Sequence, residues 1–267
     1  MPGWPHFNPG MSLDLDAYFA RIGWSGSRTA DLATLTGLLG AHMRAIPFEN
    51  FDALLGRRVR LDLDSLQDKL VRRRRGGYCF EHATLFAAVL AALDFDATSH
   101  LARVVLRVPK EAAPFTHMVN LVALPEGQFV ADPGFGGPGA SVPLPLVSGD
   151  RQGHHFVRDD EDWLLRAETD LWVTGFSTAY PIDFELANHY VATYPESIFT
   201  NNLMLNRFTD QGRVSLMNRD ASIRQGGDVQ SWQLADRREL AAFLVRHFGI
   251  DLPEAAEVRV PAIADWA

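Results

Sequence analysis

Arg75-Gly76-Gly77-Tyr78-Cys79-Phe80-Glu81-His82 carries the chain's only cysteine, and Ala83, Phe86, Leu90 and Leu93 follow at steps of three and four. That spacing puts one apolar face on a helix. The two glycines then read as a turn that delivers Cys79 to the helix's first residues. A helix N-terminus offers partial positive charge and unsatisfied N–H groups, which favour a thiolate over a thiol. The position suits a nucleophile. A buried cysteine acting as a small hydrophobe is the competing reading.

Working outward toward the N-terminus, the pattern stays helical. Leu13 to Ile22 predicts a short amphipathic helix closed by Gly23. Leu32, Leu35, Leu39, His42 and Met43 mark a second helix that stops before Pro47. Asp62 caps a third, running through Leu66 and Leu70 to Arg72–Arg75, and the Cys79 helix ends near Asp94. Residues 1–10 read as disordered, with Met11 as the start of the folded part.

Beyond Ala97 the period shortens. His100–Val108, Thr116–Leu124, Gln128–Asp132, Val142–Leu146, His154–Val157 and Trp163–Ala167 are β-type runs separated by Pro, Gly and Asp clusters, which predicts an antiparallel sheet or barrel. A helix over Pro181–Tyr194 follows. Two or three strands (Leu203–Phe208, Arg213–Asn218, Val229–Leu234) and a helix over Arg237–His247, closed by Gly249, complete the chain. A helical block, a β block and a mixed tail give an α+β fold divided at 1–95, 96–195 and 196–267.

The 267 residues, 47% apolar, suffice for substantial cores. A formal charge of −8 argues against nucleic acid as a partner. No apolar run approaches the ~18 residues that span a bilayer, and the N-terminus lacks a signal peptide's basic start and apolar stretch. A single cysteine excludes an internal disulfide and fits a reducing cytoplasm. With one cysteine and no His-x-x-x-His pair, the sequence offers no metal site of the zinc type.

A cysteine nucleophile needs a base, and the base needs a group that fixes its orientation. His117 interrupts the apolar run Thr116–Leu124, and Asp132 ends the next apolar run. If these strands pair through a turn at Leu124–Gly127, Asp132 opposes Val119 and lies diagonal to His117 on one face. A histidine in such a strand is alternatively a satisfied core residue. His82 is a rival base, although helix side chains tilt back toward the N-terminus. The glycines of Gly134-Phe-Gly-Gly-Pro-Gly139 let a backbone approach a ligand closely, or simply make a turn. Phe48, Tyr78 and Phe135 are aromatics beside polar motif residues, either pocket walls or ordinary core, and Phe199 joins them from the third block. Arg75 either belongs to a solvated helix end or pairs with Glu49.

His42…Ile46-Pro-Phe-Glu-Asn50, Arg75-Gly-Gly-Tyr-Cys79-Phe-Glu, Thr116-His117-Met-Val-Asn-Leu-Val and Asp132-Pro-Gly-Phe-Gly136 together resemble the arylamine N-acetyltransferase family. Ala83 stands where that pattern leads one to expect asparagine, and Pro133 where valine is common. The resemblance implies an N-terminal helical bundle, a central antiparallel β-barrel and a C-terminal α/β lid around a cysteine-protease-like Cys-His-Asp core. It further implies a triad of Cys79, His117 and Asp132, acetyl-CoA as acyl donor, and arylamine or hydrazine acceptors. Phe48, Tyr78, Phe135, Gly136 and Phe199 are the expected substrate-binding residues, with Glu49 and Arg75 as an ion pair nearby. A cysteine hydrolase or transglutaminase-like enzyme, which uses the same residue order, and a non-catalytic binding module are the other classes to weigh.

Overall fold

The computed structural model describes residues 13–151, 153–263 and 266; the expected disorder over residues 1–10, and Met11, lie outside them. Local signals fix the first helices. In α1 (Leu15–Ile22) the Asp14 carboxylate accepts the Ala17 N–H, and Gly23 closes the helix in the left-handed region at φ 69°. Asp31 caps α2 (Leu32–Ala45) in the same way. A two-residue strand, β1 (Phe48–Glu49), and one turn of helix, α3 (Phe51–Leu54), come next. Asp62 caps α4 (Leu63–Leu66), which widens into π-helical turns over Gln67–Arg72 rather than continuing as one α-helix. The helix α5 (Cys79–Ala92) follows, buried on most of its surface. Leu35, Leu39, Leu66, Leu70, Phe86 and Leu90 bind these elements into one core.

The β block is an eight-stranded antiparallel sheet made of β2 (Asp96–Val104), β3 (Phe115–Leu124), β4 (Gly127–Ala131), β5 (Leu144–Pro145), β6 (Gly149–Arg151), β7 (His154–Asp159), β8 (Asp162–Arg166) and β9 (Asp170–Thr174). The spatial order is β5-β4-β3-β2-β9-β8-β7-β6. The two edge strands are consecutive in the chain, separated only by residues 146–148, so the sheet curls back on itself as a nearly closed barrel. Strand β2 begins earlier and ends sooner than the alternation predicts. Leu106 and Val108 keep the pattern but find no partner strand and stand 44% and 42% exposed.

Helix α6 (Pro181–Thr193) leads from the barrel to the third block, which starts with α7 (Ile198–Asn201). Strands β10 (Met204–Thr209), β11 (Gly212–Met217), β12 (Asp220–Gln225) and β13 (Asp228–Gln233) then form a meander, and α8 (Arg237–Phe243) packs under it. Gly249, at φ 65°, closes the turns that extend α8. This sheet is completed by β1, which pairs with β10 through Phe48↔Asn206 and Glu49↔Leu205. Phe51 of α3 is fully buried among Leu203, Leu205 and Leu216. One such ring contributes about 1.5–3 kcal/mol of burial. The mixed helical and antiparallel β architecture agrees with the α+β expectation.

Candidate active site

Cys79 is the first residue of α5 and is 3% exposed. The turn before it is tied to β1: the Gly77 N–H donates to the Pro47 carbonyl (3.2 Å), and the Glu49 N–H donates to the Gly77 carbonyl (2.8 Å). A Cβ on Gly76 would lie 2.1 Å from the Pro47 oxygen, so only glycine lets these backbones meet. On the far side, a Cβ on Gly134 would come within 2.7 Å of the Cys79 Cα. The glycine loop after Asp132 therefore packs directly on the cysteine.

Strands β3 and β4 pair with Leu124 opposite Gly127 and Asn120 opposite Ala131. The next position in that register sets Asp132 opposite Val119, and its carboxylate reaches His117 with Nε2–Oδ2 at 2.8 Å. The second carboxylate oxygen accepts the Gly134 N–H (3.2 Å). With Nε2 engaged, Nδ1 is the nitrogen left for Cys79. Burial works against the imidazolium, but the Asp132 charge, its hydrogen bond and the hydrogen bond with Cys79 outweigh it and raise His117 to about 10. The thiol also lies 3.6 Å from the Thr116 carbonyl. The Phe135 ring stands edge-on to His117 at 5.0 Å, and Trp172 lies at 6.2 Å.

The rival base is placed differently. His82 turns its Nε2 toward the Pro47 and Gly77 carbonyls, at 3.2 and 3.1 Å. Ala83 is fully buried, and its carbonyl accepts the Asn120 amide of β3 at 3.2 Å, so an amide reaches this spot from a neighbouring strand.

The structure brings Glu49 and Arg75 together, with Arg75 Nε and Nη2 at 2.9 and 2.6 Å from one carboxylate oxygen. They belong to a longer buried series. Arg75 also reaches Asp52 (3.3 Å), and Lys69 bonds to both Asp52 (2.6 Å) and Glu81 (2.7 Å). Glu81 accepts the Tyr78 N–H at 3.1 Å, next to Cys79. Burial raises Glu81 to about 7, against the pull of Lys69. Lys69 itself is held charged by its three carboxylate neighbours in spite of burial. Five groups with two cations and three carboxylates thus fill this side of α5.

A cleft of about 600 Å³ opens where the barrel meets the third block. Phe48, Phe135 and Gly136 line its inner end, and Asn206, Ser215, Ser222 and Ser231 line its floor. These four polar residues lie in one cross-strand row, Asn206↔Ser215↔Ser222↔Ser231. Tyr78 and Phe199 stand behind the Phe48 ring, edge-on to each other at 5.4 Å, and do not line the cleft. The Tyr78 hydroxyl instead donates to the Asn188 side chain. Sequence reasoning did not find the serine row, whose only signal was small polar residues alternating with the core-facing Val214, Leu216 and Ala221.

A family described as N-acetyltransferase matches residues 31–258. The arylamine N-acetyltransferase of Escherichia coli strain K12 is 36% identical, with 92% of each chain covered. The chain belongs to the arylamine N-acetyltransferase family. Solved structures agree. The arylamine N-acetyltransferase of M. tuberculosis has a TM-score of 0.86 at 36% identity, covering 91% of this chain and 98% of that one. The Mycobacterium marinum arylamine N-acetyltransferase, solved in complex with CoA, has a TM-score of 0.86 at 33% identity, covering 91% and 94%.

Proposed function

We propose that the protein transfers an acetyl group from acetyl-CoA to the nitrogen of arylamines or arylhydrazines by a ping-pong route through an acetyl-Cys79 thioester. The observation that carries this reading is a lone thiol at a helix N-terminus, beside an imidazole that a buried carboxylate holds at 2.8 Å. His117, held as an imidazolium, carries the proton given up by Cys79, and the thiolate sulfur attacks the acetyl carbonyl. The CoA sulfur leaves and recovers that proton from the imidazolium. One thioester replaces another, so this half-reaction is nearly balanced. An aromatic amine, neutral at pH 7, then attacks the acetyl carbon. Its proton passes to His117 and the Cys79 sulfur departs. Proton transfer of this kind contributes about 10²–10⁴ in rate, and Asp132 keeps the ring oriented for both halves.

The acceptor ring enters at Phe48, Phe135 and Gly136, which line the inner end of the cleft. Tyr78 and Phe199 support that wall. Residues 196–267 act as a lid that shields the thioester from water, so the acetyl group waits for an amine. The substrates are small molecules, and a reducing cytoplasm suits a lone reactive thiol. Among the described residues no helix is long and apolar enough to cross a membrane. Intact mass after mixing with acetyl-CoA tests the mechanism. One acetyl group should appear on Cys79 and disappear when an aromatic amine is added. A Cys79→Ala variant with undiminished turnover, or thioester loss to water as fast as to amine, would overturn it, the latter in favour of a hydrolase.

A further inference from the structure

Behind the nucleophile lies a polar series that the mechanism above does not use. The Tyr18 hydroxyl is 2.8 Å from His42 Nδ1, and His42 Nε2 is 2.8 Å from His82 Nδ1. His82 Nε2 ends the series on the Pro47 and Gly77 carbonyls. Tyr18 and His42 are fully buried and His82 is 1% exposed.

The proton positions follow from the partners. Two carbonyls can only accept, so His82 Nε2 carries a hydrogen. Its Nδ1 then accepts from His42 Nε2–H, and His42 Nδ1 accepts from the Tyr18 hydroxyl. The charged groups facing the series are Arg21 and Lys69, both cations. Burial and these cations keep the two rings neutral, with His82 lowered to about 4 by burial above all. Each ring nitrogen is satisfied in one direction only.

We propose that Tyr18, His42 and His82 are positioning residues, an uncharged one-directional hydrogen-bond chain whose terminal His82 Nε2–H sets the Gly76–Tyr78 turn and thereby aims Cys79 at His117. His82 stands at the meeting of three segments: β1 through Pro47, the turn through Gly77, and the glycine loop, where a Gly134 Cβ would lie 3.1 Å from the His82 Cβ. Both carbonyls keep a second donor, the Gly77 N–H for Pro47 and the Glu49 N–H for Gly77. Losing the His82 donor therefore loosens the turn without leaving either carbonyl bare. A misplacement of about 1 Å at a reacting centre costs about 10²-fold in rate.

This inference rests on Cys79 being the reacting thiol, and alkylation by iodoacetamide separates the two ideas because it needs no acyl transfer. His82→Phe keeps the ring's bulk and removes the donor, whereas His82→Gln retains a donor at similar reach. The phenylalanine variant should slow single-turnover acetylation by about 10²-fold and move the pH midpoint of Cys79 alkylation upward, and the glutamine variant should restore most of both. Equal behaviour of the two variants, or an unmoved alkylation profile in His82→Phe, would overturn the proposal. Nitrogen-15 spectra of the wild-type imidazoles test it without any variant. They should show a neutral His82 protonated at Nε2 at pH 7, and an Nδ1-protonated or charged ring would refute the chain.

Discussion

Behind Cys79 the series Tyr18–His42–His82 is buried without charge, whereas beside it Glu49, Asp52 and Glu81 share two cations, Lys69 and Arg75. Both networks end on the backbone just before Cys79, one at the Gly77 carbonyl and the other at the Tyr78 N–H. The neutral chain is fixed by the direction of each donor and has nothing to balance. The charged series is fixed by alternation of sign and carries one surplus carboxylate. Fixed geometry can thus come from either device, but only the charged one makes the fold depend on keeping every partner.

Between the two stands the pair His117–Asp132, and it gives the largest expected effect. Asp132 holds the buried imidazole at about 10 although burial pulls the other way. In Asp132→Asn that support is gone and burial should take the ring below its ordinary value near 6.5. Activity should fall by about 10²–10⁴ while the fold persists. Imidazole titration followed by nuclear magnetic resonance checks this, and a midpoint still near 10 would show that Asp132 is not the cause. The same shift ties stability to alkaline pH. His117 stabilises the fold fully below about 6.5, and that contribution is lost as pH rises toward about 10.

The next largest effect separates the networks directly. Glu49 is fully buried, with Arg75 and the Phe51 N–H as its partners. Arg75→Met leaves that charge uncompensated and should cost about 3–5 kcal/mol of stability. Tyr18→Phe removes one neutral hydrogen bond and should cost about 1 kcal/mol. Denaturant unfolding of both variants measures the ratio, and similar losses would mean that charge plays no special part in the first network.

Acid titration sharpens the contrast, because the two networks respond to pH with opposite sign. His82 is lowered to about 4, so its neutral ring stabilises the fold above about 6.5 and the contribution fades as pH falls toward 4. The full swing amounts to about 3 kcal/mol. Glu81 is raised from 4.5 to about 7, so the penalty on its charged form is absent below 4.5 and grows as pH rises to 7. His82→Gln should flatten the loss of stability on acidification, and Glu81→Gln should steepen it. Unfolding free energies across this window decide the matter, and parallel curves for the two variants would abolish the distinction.

How much of this was legible depended on sequence distance. The Gly-Gly turn before Cys79, the closing glycines 23 and 249, and the register that sets Asp132 opposite Val119 all depend on residues within a few positions or on one hairpin. Periodicity and turn chemistry report such features directly. Strands β1 and β9 were not foreseen, since β1 has only two residues and owes its state to β10, more than 150 positions away, and β9 pairs with β2 and β8. Strand β12 was missed because its Asp220–Gln225 run is two-thirds polar and follows its partner too closely to read as a separate element. The neutral chain joins positions 18, 42 and 82, none adjacent in sequence, and each histidine alone looks like any core histidine. Lys69 gave no signal either, because its partners come from two other helices.

The smallest expected effect concerns the seam between the first and third blocks. Asn50 is 3% exposed and donates to the carbonyls of Phe199 (2.8 Å) and Asn202 (2.7 Å) while accepting the Met204 N–H (2.8 Å). Unlike the networks around α5, this single side chain grips backbone on the far side of a block boundary. Phe199 packs on Phe48, and Met204 lines the cleft, so the grip ties the start of the third block to the cleft wall. In Asn50→Ala those three backbone groups lose their partner at a cost of about 1–3 kcal/mol. The β1–β10 pairing and the buried Phe51 still hold the blocks together. The variant should therefore fold, yet admit more water to the thioester and raise hydrolysis of acetyl-enzyme relative to transfer by a few-fold. Free CoA and acetylated amine released in one reaction give that ratio. An unchanged ratio in a folded Asn50→Ala protein would assign the third block to structure alone and end its reading as a shield.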